Sequence, residues 1–490
     1  MNEISKEQFA KGTVWKLLER FTGRGISLVI SVVLARLLTP NDYGLIALTT
    51  VFTNLSEILI DAGFGTALIR KKEIDDGDYA CVFTISAVIS TILYIILFFI
   101  SPLVAAYYEK PELTAVLRVM SLVLFIQAFG SSRNAFVNRN MQFKLLMKCN
   151  TVAAIVSGSI GIICAYMGLG VWSLVLQRLL QQTIITFLLF LMLKWKPRLR
   201  FSKEKFKGLF GFSVGVIGAS LVNYMENCVN SLVIGKHYSV TDLGYVDKAT
   251  ILPEQISLNS FGAMTNVLLP TVSSYQHDIK KLKLVIRKVV RYTSFVIFPV
   301  MLGMLMVSRE AIYVLFSEKW LPAVPMMQFI CIYYIATPLM LIDVQVFFGL
   351  GHSKIRLKTE IYRMIFIITG VFLCCFIFNT EIKYLSMSNA IAVCLGTLIT
   401  HIEIQKMIGY TIIERLADNY KSVISSILMC IVVYFTKVLL GYFVIPVVIC
   451  LVVEVVIGVA FYWIMAKILR NEVYNEIVNF IKKRRRKDNG

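Results

Sequence analysis

Long apolar segments separated by short polar ones run along almost the whole chain. Most of the apolar segments are about 20 residues or longer, the length that an α-helix needs to cross the hydrocarbon core of a bilayer. Counted in this way, the sequence predicts about fourteen membrane-spanning helices. The loops between them leave no room for a separate soluble domain. The predicted fold class is therefore an all-α integral membrane protein.

Composition supports lipid as the main solvent of this chain. Of the 490 residues, 57% are hydrophobic and only 16% are charged, whereas about a quarter of the residues in soluble domains are charged. The net charge of +20 comes from cations in short loops, which excludes nucleic acid as the expected partner. The 10 cysteines are scattered and form no metal-binding spacing, so no metal, cofactor or disulfide framework is expected.

Lysine and arginine concentrate before the first predicted span, in alternate loops and at the C-terminus. The positive-inside rule then places both termini in the cytoplasm of a cell (inner) membrane, and an even number of spans agrees. Two basic segments, at 194–207 and 482–487, either contact anionic lipids or serve as topology signals alone. The stretch 280–291 is expected to be a basic helix lying on the membrane surface.

A weak internal similarity at an offset of about 200 residues divides the chain. The Asp-Tyr-Gly sequence at 42–44 corresponds to Asp-Leu-Gly at 242–244. We therefore predict two six-helix lobes followed by two extra helices, an arrangement of repeats that is common in transporters. The expected ranges are an N-terminal lobe at 1–193, a basic cytoplasmic linker at 194–208, a C-terminal lobe at 209–408, two extra spans at 409–467 and a basic cytoplasmic tail at 468–490.

Charged residues inside the first two predicted spans are candidates for function, because charge in hydrocarbon is costly. Arg20 and Arg24 lie one helical turn apart in the first span. Asn54, Glu57 and Asp61 form a stripe on the second span. At 1.5 Å per residue, Arg24 and Glu57 lie at a similar depth, about 16–18 Å from the cytoplasmic end, and Arg20 and Asp61 at about 10–12 Å. These residues either line a charged cavity that holds an anion or form structural ion pairs, with Arg20 reaching the interface.

The seventh and eighth predicted spans repeat this pattern. Asn223, Glu226 and Asn230 share a face of the seventh span, and the eighth carries Lys248 and Glu254. We place Lys248 with the arginines as a candidate for binding the substrate. The carboxylates either carry protons or bind a cation, or else they pair with Lys248 and buried amides. Three other charged residues are expected to snorkel toward the interfaces: Arg118, Arg178 and Asp343.

Signatures of chemistry on a substrate are missing from the sequence. It has no G-x-x-x-x-G-K-[ST] loop and no H-E-x-x-H motif. The longest outward loop, at about 308–322, is too short for the catalytic loop of a membrane-embedded glycan polymerase or ligase. We therefore expect a transporter and not an enzyme.

Several segments resemble the Wzx-type polysaccharide flippases of the MOP superfamily. They are residues 35–44 (ARLLTPNDYG), 61–69 (DAGFGTALI), 138–144 (NRNMQFK) and 347–351 (FFGLG). The resemblance covers essentially the whole chain and implies a bundle of two six-helix lobes around a central cavity. In that family the first, second, seventh and eighth helices line the cavity, and basic residues on the first helix are the usual candidates for binding the pyrophosphate. Here those are Arg20 and Arg24.

The resemblance also implies a cargo and a direction of transport. The cargo is an undecaprenyl-pyrophosphate-linked oligosaccharide, moved by alternating access from the cytoplasmic to the outer leaflet for surface polysaccharide synthesis (lipopolysaccharide O-antigen, capsule or exopolysaccharide). Membrane lipids, a coupling proton or sodium ion, and polymerase or export machinery are the expected partners. The alternative is another transporter of the superfamily, either a lipid II flippase or a multidrug/cation antiporter.

Overall fold

The structure is a computed structural model that describes residues 23, 25–61, 68, 74–140, 142–193 and 200–488. This part of the chain is almost entirely α-helical and contains no strand. The helices are α1 Gly25–Leu37, α2 Pro40–Asp61, α3 Asp76–Tyr107, α4 Glu112–Met120, α5 Val123–Arg139, α6 Phe143–Tyr166, α7 Val171–Met192, α8 Lys203–Val233, α9 Val240–Ser274, α10 Ile279–Met306, α11 Ser308–Phe316, α12 Val324–Gly349, α13 Ser353–Phe372, α14 Ile382–Ile408, α15 Ile412–Leu440, α16 Val447–Ile468 and α17 Glu472–Asp488.

Eleven helical segments among the described residues are long and apolar enough to cross a membrane. The prediction of an all-α, multi-pass membrane protein is thus confirmed. The polar helices α8 and α9 are not among the eleven, and α1 is described over too short a length to count. The expected total of fourteen requires these three to cross as well, and it stays a prediction.

The chain forms two compact units, residues 1–247 and 248–490. In the first unit, one apolar cluster joins α2, α3 and α5 through Ile60, Leu97 and Leu124. In the second unit, α12 packs against α10 and α14, and the buried side chains of Ile286, Val346 and Ile404 meet there. The predicted division into two lobes with a separate linker stays a prediction.

The starts of α2 and α9 have the same local structure and cross at very short range in the first unit. Asp42 accepts hydrogen bonds from the backbone and hydroxyl of Thr39, at 2.9 and 2.7 Å. At the start of α9, the hydroxyl of Ser239 donates to the carboxylate of Asp242 at 2.7 Å and accepts from the backbone N–H of Asp242 at 2.9 Å. Each helix contributes a glycine to the crossing. A Cβ on Gly44 would lie 1.8 Å from the carbonyl oxygen of Val240, and one on Gly244 would lie 2.0 Å from that of Pro40.

The N-terminal ends of α3 and α8 are held together by a charged pair. Asp75 and Asp78 form a capping box at the start of α3. Lys205 of α8 donates to the Asp75 carboxylate, and this hydrogen bond lowers the pKa of Asp75 from 3.8 to about 2. Lys205 thus links the start of α8 to the start of α3.

The prediction of a surface helix at 280–291 is wrong. These residues are the first turns of α10, a continuous helix of 28 residues whose first turn is capped by Asp278. The cations do not need a separate surface helix, because acidic residues of α15 and α17 pair with them.

Candidate functional site

A group of polar side chains surrounds the second half of α2, which we call the α2 cluster. Glu57 lies in the middle of it, with one carboxylate oxygen 3.5 Å from the guanidinium of Arg178 on α7. Gln127 of α5 gives Glu57 a further side-chain hydrogen bond. Tyr224 of α8 hydrogen-bonds the side chain of Asn54 and donates to the carbonyl oxygen of Val51 at 3.0 Å. Three helices of the first unit, α5, α7 and α8, thus place polar groups against one stripe of α2.

In the α2 cluster the charges of Glu57 and Arg178 neutralise each other, but the two side chains are only partly buried. The side chain of Glu57 is 19% exposed, whereas that of Arg178 is 46% exposed. A guanidinium has five N–H donors, and one contact at 3.5 Å occupies only part of that capacity. Arg178 can therefore pair with Glu57 and still offer donors to an anionic group. This geometry is suited to phosphate recognition.

The sequence paired Glu57 with a different cation. Depth alone matched it to Arg24, and Arg178 was expected to snorkel toward an interface. Since Arg178 contacts Glu57, that expectation for Arg178 is wrong. The pairing of Glu57 with Arg24 remains untested, because Arg20 and Arg24 lie outside the described residues.

The structure describes the other candidate residues of the first unit in different detail. Asp61 is the last residue of α2 and is exposed. Asn230 lies on α8 and is partly buried. Asn223 and Glu226 also lie on α8, but their side chains are outside the described part of the structure. The structure therefore brings Asn54 and Glu57 into one cluster.

Lys248 and Glu254 belong to the second unit. Both lie on α9, where Lys248 is only 4% exposed and Glu254 is partly buried. Glu254 is within electrostatic range of the buried hydroxyl of Tyr334 on α12. A buried lysine is costly unless other groups interact with its charge, and Lys248 does have an interaction partner in the structure.

A second buried polar group, which the sequence did not predict, lies where α12, α14 and α15 meet. We call it the Arg415 cluster. Arg415 donates to Asp343 at 2.6 Å and to the carbonyl oxygen of Leu339 at 3.1 Å. A nitrogen of the same guanidinium contacts Nδ1 of His401. Asp343 is fully buried, so the expectation that it snorkels is wrong.

The Arg415 cluster continues through Asp418, one turn further along α15. Arg287 and Arg291 of α10 both donate to this carboxylate, at 2.8 and 2.6 Å, and Tyr410 adds a hydrogen bond at 2.9 Å. Nearby, Lys283 and Glu414 form an ion pair at 2.8 Å. Three carboxylates thus face four cations. The side chains of Asp343, Asp418 and Arg415 are enclosed, whereas the other four remain 25–30% exposed. Such a network holds helices in register and is a structural connection among α10, α12, α14 and α15.

The structure gives no indication of a metal centre in the residues that it describes, since no three His, Cys, Asp or Glu side chains there come together as ligands. Charged and hydrogen-bonding groups do lie inside the helices, in the α2 cluster and the Arg415 cluster. Such a set of groups can bind and release a polar solute within a membrane.

Comparison with known proteins identifies relatives of this chain by sequence. A family model described as "Polysaccharide biosynthesis protein" matches residues 33–325. The succinoglycan biosynthesis transport protein ExoT of Rhizobium meliloti is 24% identical over 66% of this chain and 66% of its own length, just under two thirds. The lipopolysaccharide biosynthesis protein WzxC of Escherichia coli is 23% identical over 67% of each chain. The teichuronic acid biosynthesis protein TuaB of Bacillus subtilis is 23% identical over 69% of this chain and 71% of its own.

Solved structures with the same fold are also transporters. The lipid II flippase MurJ, in an inward closed conformation, superimposes with a TM-score of 0.76 over 95% of this chain and all of that one, at 17% identity. An inward-facing multidrug resistance MATE transporter of the MOP superfamily gives a TM-score of 0.61, covering 80% of this chain and 98% of that one at 14% identity. These likenesses establish the fold.

Proposed function

Because this chain belongs to the polysaccharide biosynthesis protein family, we propose that it is a flippase for lipid-linked oligosaccharides. Its cargo is an undecaprenyl-pyrophosphate-linked repeat unit used for a surface polysaccharide. The protein moves this unit from the cytoplasmic to the outer leaflet of the inner membrane by alternating access. Relatives named for succinoglycan, lipopolysaccharide and teichuronic acid synthesis support this function.

The cargo's chemistry explains why a protein is needed. A pyrophosphate carries charge and every sugar carries hydroxyls, and each unpaired hydroxyl costs several kcal/mol in hydrocarbon. Crossing about 30 Å of apolar core without replacement of the lost hydration is prohibitive. A flippase must therefore supply polar groups inside its spans, while the polyprenyl tail stays in lipid.

The α2 cluster is the observation that carries this proposal. It brings together an arginine, a carboxylate, an amide and a phenol from helices of the first unit, and Arg178 keeps nearly half of its side chain exposed. We assign Arg178 to the pyrophosphate together with Arg20 and Arg24. Glu57 orients Arg178, and the amides at 54, 223 and 230 hydrogen-bond sugar hydroxyls.

The remaining candidates have separate roles in the proposal. Lys248 is a third cationic contact for the cargo. Asp61, Glu226 and Glu254 are assigned to coupling, in which a carboxylate takes up a proton or a sodium ion. Both termini lie in the cytoplasm, and polymerase or export machinery receives the flipped cargo.

A lipid II flippase is the second candidate, favoured by the match to MurJ along 95% of this chain. Lipid II also has a polyprenyl tail, a pyrophosphate and sugars, so the same cluster would serve it. The two functions differ in which pathway fails when the protein is removed.

Deleting the gene in its host tests the proposal. We expect loss of one surface polysaccharide and accumulation of its lipid-linked precursor, with the cell wall intact. Complementation should fail with Arg24→Ala and with Arg178→Ala, and should succeed with the matched control Arg200→Ala, whose residue lies outside the spans. A normal surface polysaccharide in the deletion strain would refute the proposal, and a cell-wall defect alone would favour lipid II.

A further inference from the structure

A single carboxylate lies inside α16, the helix with the highest hydropathy among the eleven candidate spans. It belongs to Glu454, which is 1% exposed and whose Oε2 atom has no hydrogen-bond partner. The only other charged residue of α16 is Lys467, in its last turn. An ionised carboxylate in such a place is so costly that the group takes up a proton instead.

The helices α11 and α15 bring one acid and one cation close to Glu454. Glu310 of α11 and Lys437 of α15 are both within electrostatic range of its carboxylate. The ammonium of Lys437 lies 2.8 Å from each carboxylate oxygen of Glu310, and it also donates to the carbonyl oxygen of Met306 at 3.4 Å. Lys437 therefore contacts Glu310 and not Glu454, which interacts with both groups electrostatically at longer range.

The other ionisable groups around this part of α16 do not change the charge count. The part of α10 that reaches the same end of the helices, 295–306, contains none, and α17 packs at the other end of α16. Arg309 of α11 is exposed, and Tyr313 and Tyr434 are uncharged phenols that are 42% and 58% exposed. Two carboxylates thus share one ammonium, and one added proton makes the group neutral.

The three residues lie near one end of their helices. Glu454 is seven residues from the start of α16, or about 10 Å along the axis, and Lys437 is three residues from the end of α15. The Lys437 side chain is 34% exposed, whereas that of Glu310 is 12% exposed. A proton can therefore reach Glu454 from this end by way of the Lys437–Glu310 pair, without crossing the middle of the bilayer.

We propose that Glu454 is the proton-binding group of a site formed with Glu310 and Lys437, and that its proton exchanges with the water at this end of the helices. The proton forms the O–H bond of a carboxylic acid, and its release leaves a carboxylate that competes with Glu310 for Lys437. With both termini in the cytoplasm, as proposed above, this end faces outward. The choice of side rests on that proposal, whereas proton binding does not. The site is separate from the α2 cluster and from the carboxylates assigned to coupling.

Infrared difference spectroscopy of the purified full-length protein tests this site, because a protonated carboxyl group has a C=O stretching band that a carboxylate lacks. At mildly acidic pH the unmodified protein should show such a band that is missing from Glu454→Gln. The band should shift on transfer to heavy water and should disappear reversibly as the pH is raised. An absent band would show that Glu454 is ionised, and a band that neither exchanges nor titrates would show a static proton. Either result would overturn the proposal.

Three further variants keep the test decisive if Glu454→Gln folds poorly. Glu310→Gln removes the competing carboxylate and frees Lys437 for Glu454, so the band should disappear at a pH about one unit lower, which is an about tenfold lower proton affinity. Lys437→Met removes the cation, and the band should persist to higher pH. The matched control Glu403→Gln changes a carboxylate of α14 that already pairs with Lys406, and it should leave the band unchanged. If Glu310→Gln and Lys437→Met titrated like the unmodified protein, the proposed site would be overturned.

Discussion

Replacing Gly44 with alanine should destabilise the first unit strongly. The new Cβ would lie 1.8 Å from the carbonyl oxygen of Val240 and 2.6 Å from its carbonyl carbon. These are backbone atoms at the start of α9, so the clash cannot be relieved by rotating a side chain. Overpacking of this kind costs about 1–3 kcal/mol, and the upper end applies because two helices must move apart.

A matched substitution on the same unit gives the control. Gly218 lies within α8, and a Cβ there would meet no atom within 4 Å. Gly218→Ala should therefore be neutral or raise stability by about 0.5–1 kcal/mol, because alanine loses less backbone entropy in a helix.

Thermal unfolding of the purified proteins in one detergent measures the difference. A loss of about 3 kcal/mol corresponds to a melting temperature about 6–12 °C lower for a unit of this size. Gly244→Ala should behave in the same way, because its Cβ would lie 2.0 Å from the carbonyl oxygen of Pro40. If Gly44→Ala and Gly218→Ala had the same melting temperature, the close crossing of α2 and α9 would be refuted.

Three other substitutions test separate parts of the structure. Arg415→Ala should lower the unfolding free energy by about 3–5 kcal/mol in a denaturation assay, because the Asp343 carboxylate stays buried without its partner; a loss below 1 kcal/mol would contradict that burial. Lys205→Ala should return the pKa of Asp75 from about 2 toward 3.8 in an NMR titration. The stability that the Lys205–Asp75 pair contributes is present above pH 3.8 and is lost as the pH falls toward 2. This contribution stays below about 1 kcal/mol because the carboxylate is exposed. An unchanged pKa of Asp75 in Lys205→Ala would disprove the contact. Arg178→Lys should restore part of the export that Arg178→Ala loses, since a point charge remains without the planar fork, and equal defects measured as surface polysaccharide would argue that the fork is essential.

The helices themselves were predictable because their apolar segments are long. The short motifs at 42–44 and 242–244 also suggested corresponding positions in an internal repeat, because they are similar and lie 200 residues apart. In the structure both motifs cap a helix in the same way, and each places a glycine against the other helix start. The sequence alone could not reveal that the two starts touch.

The Arg415 cluster was not predictable from one sequence. Arg415 and Asp418 lie in the first two turns of α15, where the sequence is polar and gives no apolar pattern to interpret. Their partners on α12 and α10 are 72 to 131 residues away in the chain. Charge balance among four helices depends on tertiary packing, which has no local signal.

Arg178 illustrates the same limit at the α2 cluster. Depth along the first two predicted spans suggested partners for Glu57 only among neighbours in the chain. The partner that the structure gives comes from α7, more than a hundred residues away. Intramembrane charges were therefore a good guide to which residues matter and a poor guide to which ones meet.

The central claim is that intramembrane cations carry an anionic lipid-linked sugar across the bilayer. Its most direct measurement is the fraction of that lipid whose sugars can be oxidised by an impermeant reagent added outside spheroplasts. Cells with the unmodified protein should expose much of the precursor, whereas cells with Arg20→Ala/Arg24→Ala should protect nearly all of it at the same protein level. Equal exposure in the two strains would contradict the account.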